Sequence, residues 1–230
     1  MRAIRRLIAP IALLLAAVPA AAQLRDGEWV GYRDAYRAMV RFEKFGGPKN
    51  LLVSQLQVQP LDRSPPGDGA QLTLTGKTTQ LNLPLDALGR TVLPLQKSSY
   101  DENAVLVLNR KGVPFTVRPR VTIAPRHDGQ YDGADLRSAC QQALGFARYV
   151  DASQEARQCV GVRFVFPKKD QAGARLRRAD GQEQALPATQ GAAFAGDADA
   201  GFAVVDWRFG AERAQVTTYN APLAIVPVFE

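Results

Sequence analysis

Residues 132–166 read DGADLRSACQQALGFARYVDASQEARQCVGVRFVF, and two hydrophobic periods follow one another within this stretch. In residues 132–150 apolar side chains recur at steps of three and four, which predicts a helix that buries one face. Asp132 can cap the start of this helix, with Asp135 in the position of a capping box. In residues 160–166 apolar and other side chains alternate, which predicts a strand. The stretch therefore predicts a helix and a strand joined by a short polar link.

The two cysteines of the chain lie on these two elements, Cys140 on the helix and Cys159 at the start of the strand. In an oxidising compartment an even number of cysteines indicates a disulfide. Such a bond would fasten the helix to the strand and stabilise the fold by roughly 3 kcal/mol through loop closure. The alternative is a nucleophilic Cys140 activated by His127, the single histidine, because an imidazole can accept the thiol proton. The signal-like N-terminus favours the disulfide, because it indicates an oxidising compartment.

The first 22 residues are organised like a secretory signal peptide. Arg2, Arg5 and Arg6 precede an apolar stretch, and three alanines then offer a cleavage site between Ala22 and Gln23. The apolar stretch is shorter than the ~20 residues that a membrane-spanning helix needs. We therefore expect a periplasmic or secreted protein with no transmembrane span after signal cleavage.

Composition and charge narrow the class of protein. The chain is 46% hydrophobic and 22% charged, which is ordinary for a folded domain and excludes collagen-like and disordered classes. Cleavage would remove three arginines and no acidic residue, so the formal charge would fall from +7 to +4. This modest charge and the export signal argue against nucleic acid as a partner.

An amphipathic helix is predicted near the N-terminus of the mature chain, in a segment spanning residues 23–48. Apolar side chains in residues 26–45 recur at helical spacing, with Asp26 as the N-cap. Gly46 and the Gly-Pro pair after it would end the helix. The opposite side of the helix carries Arg33, Arg37, Arg41 and Lys44. The helix either packs this apolar stripe into the core or binds a partner or membrane surface.

Short strands at roughly ten-residue spacing dominate the rest of the chain. Alternating patterns predict strands at 51–58, 72–76, 81–85, 91–95, 104–108, 115–123, 202–209, 215–219 and 223–229. Asp180 and Gly181 form a hairpin turn, and residues 187–201 are predicted to be a loop. Strands containing Pro84, Pro94 and Pro119 should be edges, bent or interrupted, because proline donates no ladder hydrogen bond.

The predicted fold class is α+β and mainly β. It consists of antiparallel β-sandwich or barrel-like units with an N-terminal amphipathic helix and a central helix pinned by the disulfide. Residues 49–125 would form a first β unit, 126–158 a connecting loop and helix, and 159–230 a second β unit.

Residues 83–95, LPLDALGRTVLPL, are followed by ENAVLVLN at 102–109. Together they resemble a pattern in uncharacterised secreted proteins of Gram-negative bacteria. They are also loosely similar to carboxypeptidase-regulatory and transthyretin-like β-sandwiches, whose strands carry a Gly-Arg-x-x-Leu-Pro-Leu-like turn. The resemblance covers about 30 residues and implies an exported β-rich fold, without an activity or a functional residue.

The motifs of common enzymes are missing from the sequence. A single histidine does not suit zinc sites, and the chain has no Gly-x-Ser-x-Gly elbow and no phosphate-binding glycine loop. We therefore assign no catalytic residue, metal ligand or cofactor. Asp197 and Asp199 have the spacing that opens a calcium loop, but the later ligands of that loop are absent, and an acidic loop is the simpler interpretation.

A pair of carboxylates could hydrolyse glycosidic bonds without a histidine. The candidates are Glu43, Asp101, Glu102, Asp151 and Asp206. Asp206 stands beside Trp207, where burial would raise its pKa and the indole could stack on a sugar. The alternative is a strand with Asp206 facing outward and Trp207 in the core.

Arginines form two groups that are candidates for anion binding, since guanidinium groups suit phosphate and carboxylate ligands. The candidate residues are Arg118, Arg120, Arg175, Arg177 and Arg178. Arg118 and Arg120 share one face of a strand, because strand side chains alternate. The alternative is a solvated or salt-bridged sheet face.

Three functions remain open from the sequence. The first is an exported, non-catalytic envelope protein with a binding or structural role and an unknown envelope protein or glycan as its partner. The second is a carboxylate-based glycan hydrolase. The third is a protein that binds an anionic envelope surface such as lipopolysaccharide, in which case the five arginines would converge on one patch.

Overall fold

The computed structural model describes residues 28–198, 201–210 and 213–230. The predicted signal peptide, its cleavage site at Ala22 and Gln23, and the proposed N-cap Asp26 lie outside the described residues.

The secondary structure alternates long runs of strands with isolated helices. In chain order the first elements are β1 (Trp29–Gly31), α1 (Tyr32–Lys44), β2 (Leu52–Pro60), β3 (Gln71–Thr75), β4 (Gln80–Pro84), β5 (Arg90–Thr91), α2 (Lys97–Asp101), β6 (Val105–Leu108) and β7 (Phe115–Ile123). They are followed by β8 (Gln130–Asp132), α3 (Gly133–Val150), β9 (Cys159–Phe166), β10 (Ala174–Arg178), β11 (Glu183–Leu186), β12 (Thr189–Gly191), β13 (Phe202–Arg208), β14 (Ala214–Thr218) and β15 (Ala224–Phe229).

Within the described residues the strands form three antiparallel sheets, which confirms the predicted fold class. One sheet has the order β1-β6-β3-β4, and a second has the order β11-β10-β14-β8. The third and largest has the order β12-β13-β9-β15-β7-β2-β5. This large sheet takes strands from both predicted β units, and they meet where Ile225 of β15 pairs with Ile123 of β7.

Helix α3 lies against one face of the large sheet and is fastened there by a covalent bond. The Asp132 side chain accepts a hydrogen bond of 2.8 Å from the Ala134 amide, so the predicted cap is confirmed. Cys140 and Cys159 form the predicted disulfide, with their Cα atoms 6.0 Å apart. The alternative of a Cys140 nucleophile activated by His127 is wrong, because Cys140 is bonded to Cys159 and His127 is exposed in a turn.

The N-terminal helix is shorter than predicted. It begins at Tyr32 because the three residues before it pair as a strand with β6, with Trp29 opposite Val107. Pairing at a sheet edge thus overrides the helical spacing of Trp29, in line with the preference of aromatic residues for strands. Tyr32, Ala35 and two further apolar residues on this helix are buried, which confirms that the stripe faces the core.

Residues 91–95 are not the predicted strand, since β5 ends at Thr91. The Tyr32 hydroxyl donates to the Pro94 carbonyl at 2.6 Å and accepts from the Gln96 amide at 2.8 Å. A buried side chain therefore takes the backbone bonds that a neighbouring strand would have satisfied. In the predicted loop at 187–201, Thr189–Gly191 form the short edge strand β12.

The prolines lie where the ladders allow them. Pro84 ends the edge strand β4. Pro119 lies inside β7, whose pairing with β15 is limited to Ile123 and Ile225, so the ladder is interrupted there. Pro94 follows the end of β5.

None of the helices in the described part of the chain combines the length and the apolar character needed to cross a bilayer.

Candidate functional site

The two faces of the large sheet differ in chemistry because side chains alternate along each strand. On β9, Val162, Phe164 and Phe166 belong to the apolar core that also contains buried residues of α3. Arg163 and Val165 alternate with them and point to the opposite face. That face is covered by residues 192–198, which we call the cover segment.

The cover segment has an apolar anchor of its own. Ala193 and Phe194 are buried and pack with Val165, Val204 and Ala224 of the sheet. This small cluster fixes the segment over β9, β13 and β15, and it places the residues that follow Phe194 above β7.

Four polar side chains meet at this place, namely Gln57 of β2, Arg118 and Arg120 of β7, and Asp197 of the cover segment. We call them the arginine cluster. Gln57 and Arg118 are direct cross-strand partners. The Gln57 amide oxygen accepts from the Nε of Arg118 at 3.1 Å and from the Nε of Arg120 at 2.8 Å. The Nη2 atoms of both arginines donate to the same oxygen, Oδ1 of Asp197.

The arginine cluster is held in place by its surroundings. Gln57 is buried, and its amide nitrogen donates to the Leu88 carbonyl at 3.0 Å, which turns its oxygen toward the arginines. The guanidinium of Arg120 lies 4.2 Å from the centre of the Phe194 ring, a cation–π contact. The amide thus contacts both guanidinium groups, the ring contacts that of Arg120, and together they hold the cluster in one arrangement.

The arginine cluster is largely buried, and its charges do not cancel. The Arg118, Arg120 and Asp197 side chains are 34%, 17% and 11% exposed. Burial lowers the pKa of Arg120 from its ordinary value, Asp197 opposes this effect, and the charge of Arg118 adds to it. A guanidinium group nevertheless keeps its positive charge in proteins. In the part of the chain that the structure describes, two positive charges therefore face a single carboxylate.

Two further arginines on the same face have a carboxylate each. Arg90 is buried and pairs with Asp86 at 2.8 Å. Arg163 donates to both oxygens of Asp206, at 2.7 and 2.9 Å, and also to the Ala192 carbonyl at 3.0 Å. These pairs are balanced in charge, and the second also ties down the start of the cover segment.

Two cavities border residues of this face, although neither Arg118 nor Arg120 lines them. A small cavity of about 60 Å³ is lined by Gln57, Asp197 and Arg63, among others. A larger one of about 500 Å³ is lined by Gln55, Arg90 and neighbouring residues. Both members of the cluster that accept hydrogen bonds thus border the small cavity.

The predicted anion-binding arginines fall into two groups. The structure brings Arg118 and Arg120 together, whereas Arg175, Arg177 and Arg178 lie on β10 of a different sheet. Arg175 pairs with Glu183 at 3.2 Å, and Arg178 donates to Gln184 at 3.3 Å. Arg175 and Arg178 therefore have partners in their own hairpin, and the expected convergence of the five arginines on one patch is wrong because β7 and β10 belong to different sheets.

The interpretation of Asp206 as a buried acid beside a sugar-binding Trp207 is wrong. The Asp206 side chain is 48% exposed and bound by Arg163. Trp207 is buried and packs edge-on against Phe209 at 5.1 Å. The alternative, with Asp206 facing outward and Trp207 in the core, is confirmed.

The other candidate carboxylates lie on separate elements with separate roles. Asp101 pairs with Lys97 within α2, Glu102 accepts from Thr78, and Asp151 accepts from Ser153. These hydrogen bonds hold the pKa of Glu102 and of Asp151 below the usual range. A general acid in glycoside hydrolysis needs a raised pKa, so these two contacts act in the wrong direction. Glu43 lies on α1.

The calcium interpretation of Asp197 does not fit its contacts, because two guanidinium groups already bind its Oδ1. Asp199, the second residue of that pattern, lies outside the described residues. Where the structure describes the chain, no three His, Cys, Asp or Glu side chains are grouped in a way that could hold a metal ion.

Sequence reasoning found the two arginines but missed Gln57, Asp197 and Phe194. One signal was present, since Gln55 and Gln57 alternate with apolar residues on β2 in the same way that Arg118 and Arg120 do on β7. Two neighbouring strands with a polar face each would predict a polar sheet face.

No family model matches the chain, and comparison with curated proteins and with solved structures gave no match. The resemblance of residues 83–95 and 102–109 to secreted and transthyretin-like proteins therefore stays a prediction.

Proposed function

We propose that the chain is an exported, non-catalytic binding protein of the bacterial envelope, and that its arginine cluster recognises an anionic group of a ligand or partner. The observation that carries this proposal is the convergence of two guanidinium groups on one oxygen of Asp197, in a partly buried place. Arginine at such a place suits recognition of carboxylate or phosphate.

The chemistry of the cluster favours binding over catalysis. A guanidinium group stays protonated and an amide neither gives up nor accepts a proton at neutral pH. General acid–base catalysis needs a group that titrates near the working pH. Arg118, Arg120 and Gln57 can therefore orient and neutralise an anion, but they cannot transfer its protons.

The scaffold supports a role outside the cytoplasm. The Cys140–Cys159 disulfide fastens α3 to β9, and such bonds persist in oxidising compartments. Together with the signal-like N-terminus, this supports a periplasmic or secreted location. Cell fractionation followed by N-terminal sequencing tests it, with a mature protein that starts at Gln23 as the expected result. An intact chain in the cytosol with both thiols reduced would contradict export.

Binding is tested on residues 23–230 with the disulfide oxidised, by calorimetric titration of inorganic phosphate at low ionic strength. We expect saturable binding that weakens with added sodium chloride, since salt screens the attraction. The double variant R118Q/R120Q should lose this binding. The matched control R175Q/R177Q, which removes the same charge from β10, should retain it.

Two results would overturn the proposal. One is the lack of phosphate binding through Arg118 and Arg120 both in the natural chain and in a chain carrying Asp197→Asn. The other is turnover of a glycan panel that a single Asp or Glu substitution abolishes, which would make the protein a hydrolase.

A further inference from the structure

We infer that Asp197 is an internal ligand of the arginine cluster, and that an external oxyanion with two negative charges, such as a phosphate monoester, displaces it. This inference rests on the proposed function and specifies the charge of the ligand and the way the site is regulated.

The hydrogen bonds show that Asp197 shares a single oxygen between the two guanidinium groups. Arg118 and Arg120 both present the edge formed by Nε and Nη2, and each edge can bind two oxygens of one anion. Asp197 offers a single oxygen, Oδ1, to both Nη2 atoms, while Gln57 offers a single oxygen to both Nε atoms. An anion with several oxygens could give each Nη2 atom an acceptor of its own, while Gln57 keeps both Nε atoms.

Charge complementarity selects a dianion. Within the described residues, Asp197 brings one negative charge to two guanidiniums. A monoanion that replaced it would leave this imbalance unchanged, whereas a dianion would neutralise both arginines. In a partly buried site this difference counts for more than in water, because the local dielectric constant is lower.

The Arg163–Asp206 pair on the same face differs from the arginine cluster, because its two charges cancel. Arg163 and Asp206 form a two-oxygen, two-nitrogen pair with one charge of each sign. The same sheet face therefore provides a saturated carboxylate, Asp206, as the natural control for Asp197.

Asp197 is also placed where it can be exchanged. It borders the cavity of about 60 Å³ that Gln57 and Arg63 line as well. It belongs to the connection between β12 and β13 and takes no part in a strand ladder. Phe194 holds the cover segment through its own apolar contacts, so the segment keeps its anchor when the carboxylate leaves.

The test compares Asp197→Asn with Asp206→Asn in residues 23–230, titrated with inorganic phosphate at about pH 8, where phosphate is mainly a dianion. Removing an internal competitor raises the fraction of binding-competent sites. We expect D197N to bind phosphate about tenfold more tightly than the natural chain, while D206N binds like the natural chain. Acetate, a monoanion, should bind more weakly than phosphate to both chains, because it neutralises only one of the two arginines.

Each alternative result is decisive. If phosphate binds through the arginines but D197N gains nothing, Asp197 is a structural counterion, and the inference fails while the proposed function stands. If neither chain binds phosphate, both fail. If D197N does not fold, the NMR signals of the Nε–H groups of Arg118 and Arg120 are measured in the natural chain instead. They should shift more on addition of phosphate than of acetate, and equal shifts with both anions would overturn the inference.

Discussion

The two faces of the large sheet are covered in opposite ways. On one face, which we call the α3 face, helix α3 buries an apolar layer that includes Phe164 and Phe166, and the disulfide fixes the helix there. On the other, which we call the arginine face, the cover segment contacts the sheet through apolar residues and through Arg118, Arg120 and Arg163. The first interface is an ordinary protein core, and the second combines a small apolar cluster with charged hydrogen bonds.

This difference indicates that the two faces contribute differently to the stability of the fold. Apolar burial is non-directional and is the main favourable term in folding, so the α3 face should supply most of the stability. Buried ion pairs give little net stability, because desolvation offsets the attraction between the charges. The charged groups of the arginine face therefore add little to stability, and it is on this face that we propose binding of an anion.

We expect the greatest loss of stability from a substitution on the α3 face. Phe164 is fully buried in the core beneath α3. Phe164→Ala should lower the free energy of unfolding by about 4 kcal/mol, because it removes buried area and leaves a cavity. Urea unfolding followed by circular dichroism measures this. Val165→Ala, at the adjacent buried position on the arginine face, should cost about 2 kcal/mol. A larger loss of unfolding free energy for the valine variant would contradict the view that the α3 face supplies most of the stability.

Removal of the disulfide should have the next largest effect. The double variant C140A/C159A should lose about 3 kcal/mol, because the unfolded chain gains the entropy that the loop closure had removed. Both cysteines are replaced together so that no free thiol remains. Phosphate binding, measured where the variant is folded, should be retained. Loss of binding would show that the two faces are coupled.

On the arginine face we expect a smaller loss of stability and a larger loss of binding. Arg120→Gln leaves Asp197 and the buried Gln57 oxygen with one donor fewer each. This should cost about 2 kcal/mol in unfolding free energy and most of the phosphate affinity. Arg175→Gln, at an exposed pair on β10, should change stability by no more than about 0.5 kcal/mol. Equal effects of the two variants would remove the distinction between the cluster and the surface.

The α3 face could be predicted from the sequence because the patterns that indicate it are local. The spacing of apolar residues in 132–150, the Asp132 cap and the alternation in 160–166 each depend on neighbours in the chain. The two cysteines then connect these elements. Where prediction failed, a distant partner decided the outcome, since Trp29 pairs with Val107 and the Tyr32 hydroxyl binds the backbone at Pro94.

The arginine cluster was only half predictable for the same reason. Arg118 and Arg120 share a face by strand alternation, but Gln57 is 61 positions before Arg118 and Asp197 is 79 positions after it. No local pattern links residues so far apart. Asp197 lies in an irregular segment, where neither period two nor period 3.6 indicates the direction of a side chain.

The pair between β9 and β13 is more exposed than the arginine cluster, and we expect only a minor loss of stability when it is broken. Arg163 and Asp206 are cross-strand partners, with side chains 28% and 48% exposed. Asp206→Asn should lower the free energy of unfolding by about 0.5 kcal/mol, since exposed ion pairs are screened by water and salt. Urea unfolding at low and high sodium chloride measures it, and the cost should shrink at high salt. Asp197→Asn, in the more buried cluster, should depend less on salt. A cost above about 2 kcal/mol for D206N would mean that Arg163 needs its partner as a buried charge does, and Asp206 would then join Asp197 as a residue that organises this face.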